Sequence, residues 1–141
     1  MNRIGATFSH HQITKLGLSV EESLTKVLAL ELAYLRLACH WSEVERTAGE
    51  YDFTQIEQLL TMCDEHGQSV VLTVGVKAPR WPEYYWPDWL SSREVSAPDV
   101  QRAIGSFVSA CVTQLQHHAC IKYWQVENEP LDQSGPDHAV L

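Results

Sequence analysis

Ile121-Lys122-Tyr123-Trp124-Gln125-Val126-Glu127-Asn128-Glu129-Pro130 is the stretch whose reading decides the fold. It opens as an apolar and aromatic run of the kind found in strands buried within α/β proteins. It halts at Asn128-Glu129, and Pro130 prevents it from continuing as a central strand. A carboxylate with an amide beside it, at the C-terminal end of a buried strand, stands where α/β folds place their chemistry.

Working outward from this strand, three βα units precede it. Arg3–Ser9 reads as a first strand. Ser19 and Glu22 form a capping box, and Leu24, Val27 and Leu28 then mark one buried helical face, with the helix ending near Leu30. Tyr34–Cys39 is the second strand. Asp52 and Gln55 make a second capping pair, followed by the apolar stripe Ile56, Leu59, Leu60 and Cys63, with Gly67 at the C′ position. Ser69–Gly75 is the third strand, nearly all apolar. Ser96 caps a third helix, in which Val100, Ile104, Phe107, Val108, Cys111, Val112 and Leu115 keep register for four turns. The order β-α-β-α-β-α-β with short joins predicts an α/β fold with one parallel sheet. The tail from Leu131 lacks periodicity and reads as a loop.

With 141 residues the chain is expected to form a single domain, 1–141, with a real core. A net charge of −8 with scattered basic residues argues against a nucleic-acid partner. No apolar run approaches the roughly 20 residues of a membrane span. The N-terminus lacks a signal-peptide apolar region, so a cytoplasmic protein is expected. Cys39, Cys63, Cys111 and Cys120 show no C-x-x-C spacing and are expected to be reduced, buried thiols. His10-His11 and His117-His118 read as surface or capping residues, because neighbouring side chains diverge; no metal and no cofactor is expected.

Two features sit awkwardly in an ordinary core. Arg36, inside an apolar strand, needs a carboxylate or the charged mouth of a site, unless its stem snorkels out at a strand end. Ala78–Trp89 gathers three tryptophans, two tyrosines and three prolines. Flat, stiff aromatics suit the apolar C–H faces of sugars, although such a loop can also pin itself to the protein with its own rings. Trp81 and Trp86 are the expected ligand contacts, with the remaining rings packed.

Trp124–Pro130 resembles the fourth-strand motif of the retaining (β/α)8-barrel glycoside hydrolases that include cellulases and β-galactosidases. His40–Glu45 and Gly49–Phe53 are similar to the same clan's second-strand region. The resemblance implies that Glu129 is the general acid/base and that Asn128 bonds the sugar 2-hydroxyl. It further implies that Arg36 is a site residue and that Trp41 lies at the rim. Lys77 stands near where many relatives carry a histidine. The implied substrate is an oligo- or polysaccharide.

The clan's nucleophile lies on a seventh strand, and a full barrel needs about 250 residues. The resemblance therefore covers only the first half of the TIM (β/α)8 barrel, strands one to four. The chain reads as a truncated barrel that is inactive alone and prone to self-association through unpaired sheet edges. The alternative is a non-catalytic carbohydrate-binding or assembly module built on the 81–89 aromatics. A doubly wound nucleotide-binding protein is disfavoured, since no glycine-rich phosphate loop follows the first strand.

Overall fold

The computed structural model describes residues 4–132. Four strands, β1 (Gly5–Thr7), β2 (Tyr34–Ala38), β3 (Val70–Thr73) and β4 (Ile121–Gln125), form one sheet in sequential order, every pair parallel. Between them run α1 (His10–Lys15), α2 (Val20–Leu28), α3 (Trp41–Val44), α4 (Thr54–Glu65) and α5 (Pro98–Leu115). The expected parallel α/β order is therefore observed. The proposed tail loop lies mostly outside the described residues.

Alternation along the strands separates two faces. Leu35, Leu37, Val70 and Leu72 are completely or almost completely buried and join the core with Leu24, Leu60, Phe107 and Cys111 from the helices. Thr7, Arg36, Val71 and Tyr123 share register across the other face. There Tyr34 and Tyr123 remain substantially exposed, with ring centroids 5.8 Å apart. Pairing between β3 and β4 slips by one residue at Val70/Val71: Val70 faces Ile121, whereas Val71 faces Tyr123. Lys122 is the extra residue of this bulge.

Local chemistry explains the helix starts. Ser19 Oγ accepts from Glu22 N at the head of α2, as the capping box requires. Gly67 takes φ +64° just past α4. Two short helices were not expected. Ser9 is an N-cap whose Oγ accepts from Gln12 N and starts α1; the first strand consequently ends at Thr7. Helix α3 follows β2 almost directly. Two caps differ in detail. Asp52 Oδ1 accepts from Thr54 N, one position earlier than the expected pairing. Ser96 donates to Glu94 instead of capping α5, which opens on Pro98. Proline suits that first position, where its missing N–H is not needed.

Candidate active site

The three segments that follow β1, β2 and β3 meet the end of β4 at one rim of the sheet. There a hollow of about 720 Å³ is lined by Thr7, Gln12, Arg36, Pro79, Arg80, Trp81, Glu83, Gln125, Asn128 and Glu129.

Arg36 reaches this hollow from the strand face turned away from the helices. Its Nε donates to Thr7 Oγ1 at 3.0 Å, and Nη1 lies 3.4 Å from Asn128 Oδ1. Partial burial lowers its pKa; the Glu129 carboxylate pulls the other way, and Arg80 adds to the lowering. This partly desolvated guanidinium satisfies the demand that an arginine within an apolar strand makes. Asn128 is buried and central. It accepts from Gln125 Nε2 at 3.3 Å, donates through Nδ2 to Glu129 Oε2 at 3.2 Å, and its backbone N–H donates to Lys77 O. Glu129 is exposed to solvent and takes φ +48°. A left-handed glutamate costs about 1–2 kcal/mol, and such residues persist where the surroundings dictate them.

The surroundings here are a clasp between the ends of β3 and β4. Both carboxylate oxygens of Glu127 accept backbone amides, Val76 N at 2.9 Å and Lys77 N at 2.7 Å. Burial pushes the Glu127 carboxyl up to about 7, against the pull of those amides and of Lys77. Gly75, at φ +133°, lets the chains approach this closely, since a Cβ there would collide with the Val126 carbonyl oxygen. Lys77, fully buried, sends its ammonium to the backbone carbonyls of Glu129 and Asp132. Burial opposes its charge, but Asp132, the Tyr84 ring and Glu83 outweigh that and raise its pKa. Lys77 thus fixes the backbone under Glu129 from beneath.

Of the expected site residues, Arg36, Asn128, Glu129 and Trp81 come together; Trp81 is 64% exposed. Trp41 and Trp86 do not join them. Trp41 is not at the rim: it has no exposed surface, stacks on Phe107 at 5.3 Å, and donates to Glu45 Oε2 at 2.6 Å. Trp86 is buried beside it, with centroids 6.0 Å apart, and Trp89 Nε1 donates to the Glu45 carbonyl. Most of the aromatic loop therefore pins itself to α3 and the residues flanking it, because burying those rings removes far more apolar area from water than one rim contact could. Sequence reasoning missed Thr7, Gln12, Arg80, Glu83 and Gln125. Gln125 was legible as part of the same motif, two residues from Glu127; Arg80 and Glu83 sit on irregular backbone and gave no pattern.

His10 corrects another expectation. It is buried, as is His40, and both meet Glu43. His118 is also buried and pairs with Asp64 Oδ2 at 2.7 Å, while His117 caps the end of α5 through Gln114 O. All four cysteines are free and buried, as expected.

A hollow at the strand ends with this motif is matched by a family model. Residues 7–140 match the model of glycosyl hydrolase family 10. The chain belongs to that family. No curated protein matches the sequence. Among solved structures, an exo-β-1,4-mannosidase, Op5Man5, from Opitutaceae bacterium strain TAV5 superposes with a TM-score of 0.71 at 20% identity, covering 91% of this chain and 25% of that one. A GH5_18 protein from Streptomyces cattleya, in complex with GlcNAc, gives 0.71 at 19% identity, covering 97% and 36%. A cold-adapted β-galactosidase from Rahnella sp. R3 gives 0.66 at 18%, covering 89% and 21%. These neighbours are (β/α)8 glycosidases, and the family 10 chain spans between about a fifth and about a third of their lengths. It therefore presents the first four strands of that barrel. Among the described residues no helix is long and apolar enough to cross a membrane.

Proposed function

We propose that the hollow is one half of a retaining O-glycosyl hydrolase site for an oligo- or polysaccharide. Glu129 serves as general acid and then general base, Asn128 bonds the sugar 2-hydroxyl, Arg36 orients the partner carboxylate and keeps it ionised, and Trp81 stacks on a sugar ring. The observation that carries this reading is that these four side chains share one hollow at the strand ends. Retention requires two carboxyl groups roughly 5–5.5 Å apart, one protonating the departing oxygen and the other attacking the anomeric carbon. Asn128 Nδ2 already points at Glu129 Oε2, so a hydroxyl placed between them would find a donor and an acid together.

The attacking carboxylate, on this proposal, comes from outside residues 1–141. Glu83 lines the hollow, but its Oε2 lies 3.6 Å from Lys77 Nζ, and that ammonium occupies it as a structural partner. The 141-residue chain is accordingly inactive alone. In the same reading two copies associate through the edges of β1 and β4, unpaired among the described residues, beside which Ile4, Tyr123 and Val126 are exposed. The free cysteines fit a reducing compartment such as the cytoplasm.

The test uses aryl glycosides and a panel of oligosaccharides. Purified chain should release no aryl alcohol yet bind sugar, with binding weakened by Trp81→Ala and by Asn128→Ala. Turnover by the chain that disappears in Glu129→Gln would overturn the inactivity. Turnover that disappears in Glu83→Gln would make Glu83 the second carboxylate. Sugar binding indifferent to Glu129→Gln and Asn128→Ala but lost in Trp81→Ala would favour a non-catalytic binding module. Sedimentation showing a monomer at all concentrations would refute the edge association.

A further inference from the structure

Away from the hollow's carboxylate, three imidazoles converge on a single side chain. His10 opens α1, His11 follows it, His40 immediately precedes α3, and Glu43 lies within α3. Glu43 Oε2 is 2.9 Å from His10 Nε2 and 3.3 Å from His40 Nδ1, while Oε1 is 2.5 Å from His11 Nδ1. His10 and His40 are almost wholly buried, their centroids 4.5 Å apart. His40 also lies flat on Tyr85, 3.8 Å between centroids, which fixes its ring plane. The remaining nitrogens, His10 Nδ1 and His40 Nε2, are buried without a hydrogen-bond partner. A cavity of about 50 Å³ opens beside them, bordered by His10, His40, Glu43, Asp52 and Gln55.

Packing alone does not account for this group. Each unsatisfied buried polar atom is unfavourable, and two imidazoles set against one another give neither a good partner. A cation held by His10 Nε2, His40 Nδ1 and Glu43 accounts for the convergence of these side chains on one point; His10 Nδ1 and His40 Nε2 face away from it. One ligand atom from each of His10, His40 and Glu43 lies within 4.8 Å of the others. Around a tetrahedral zinc with bonds of about 2.0–2.1 Å, ligand atoms sit roughly 3.3–3.4 Å apart. The two histidine–carboxylate separations, 2.9 and 3.3 Å, fall within a few tenths of an ångström of that spacing, and the third pair lies within 4.8 Å. Two imidazole nitrogens and one carboxylate suit a borderline divalent ion and not calcium or magnesium, which prefer all-oxygen surroundings. Three protein ligands leave a fourth position, and the adjoining cavity has room for a water there.

We propose that His10, His40 and Glu43 form a binding site for a zinc-class divalent transition cation, with His11 as a positioning residue that holds the second oxygen of Glu43. The ion ties the segment after β1 to the segment after β2. Gln12, two residues beyond His10 and part of the hollow's lining, is thereby held in place. The site is separate from the sugar-cleaving reading and stands if that reading fails.

The experiment titrates Zn²⁺ into untagged, chelator-treated chain against a chromophoric competitor, and repeats it with Co²⁺ to read visible absorption. One equivalent should bind, Co²⁺ should give the intense bands of a four-coordinate site, and the Tm should rise with added Zn²⁺. His10→Gln and Glu43→Gln should each lower affinity more than a hundredfold. His11→Gln should lower it by about 10–100-fold, as loss of an outer partner does. His66→Gln and His117→Gln, both at exposed positions, should leave it unchanged. No uptake at micromolar Zn²⁺ would overturn the proposal, as would binding that survives both His10→Gln and Glu43→Gln. Loss of binding confined to the His66 and His117 variants would do the same. If His40→Gln does not fold, the His10 and Glu43 variants decide the matter.

Discussion

Replacing Glu127 by alanine tests the clasp that sets the geometry of the site. The change leaves Val76 N and Lys77 N, both on fully buried residues, without an acceptor. Each orphaned donor costs about 1–3 kcal/mol, so the pair costs about 2–6 kcal/mol. A second effect depends on pH. Burial raises the Glu127 carboxyl from 4.5 to about 7, a change that corresponds to about 3 kcal/mol. Because the folded pKa lies above the unfolded one, the native state binds the extra proton, and the contribution is fully present below about 4.5. It is lost as pH rises through about 7. The alanine variant has no such proton to lose. Glu127→Ala should therefore be most destabilising near pH 5 and less so at pH 8, by up to about 3 kcal/mol. Thermal unfolding followed by circular dichroism across that range measures it, at roughly 4 °C per kcal/mol for a domain of this size. Amide exchange at Val76 and Lys77 should lose protection in the variant. An unchanged Tm at pH 5, or a Tm difference flat with pH, refutes the reasoning.

Other consequences can be measured with the same protein. Asp64 accepts Cys120 N at 2.6 Å and faces His118; these bonds outweigh partial burial and hold its carboxyl below the usual range. Its contribution is therefore present above the ordinary aspartate pKa and lost as pH falls below it; Asp64→Asn should cost about 1–3 kcal/mol at pH 7 and flatten the acid limb of a stability–pH curve. Trp41→Ala should cost about 3–5 kcal/mol in urea unfolding, as large-to-small core changes do, whereas Trp81→Ala should stay within about 0.5 kcal/mol while weakening sugar binding. Gly75→Ala should cost at least about 2 kcal/mol, because the added methyl meets the Val126 carbonyl at a φ that alanine avoids; a variant of wild-type stability would show that the two strand ends can separate freely.

What was legible in the sequence was set by local pattern. The heptad-like stripe from Val100 to Leu115, the Ser19 cap and the apolar third strand each have a period that only one element satisfies, and all three appear where expected. Arg36 was legible because a charge in an apolar strand is costly without a purpose, and Asn128 and Glu129 because they complete a stretch that resembles the clan's fourth-strand motif. The fate of Trp41 and Trp86 was not, since an indole is equally at home against a sugar or against Phe107, and only the distance between α3 and α5 decides. His10 was misread for a similar reason. Adjacent side chains were expected to diverge, but His10 and His11 each reach one oxygen of Glu43; nothing nearby in the chain announces that His40 and Glu43, about thirty residues on, meet them.

The one-residue slip between β3 and β4 reaches further than its size. Cys120 is anchored to Asp64 and to Val70, which fixes the phase in which β4 begins. Continued evenly from there, β4 would turn Trp124 toward the open face and bury Gln125 among the helices. Lys122 absorbs the mismatch, so indole and amide exchange sides before the polar stop is reached. Removing that lysine would restore even pairing between Ile121 and Tyr123 and leave both facing as they do; the geometry at Glu129 thus depends on a parity set seven residues upstream.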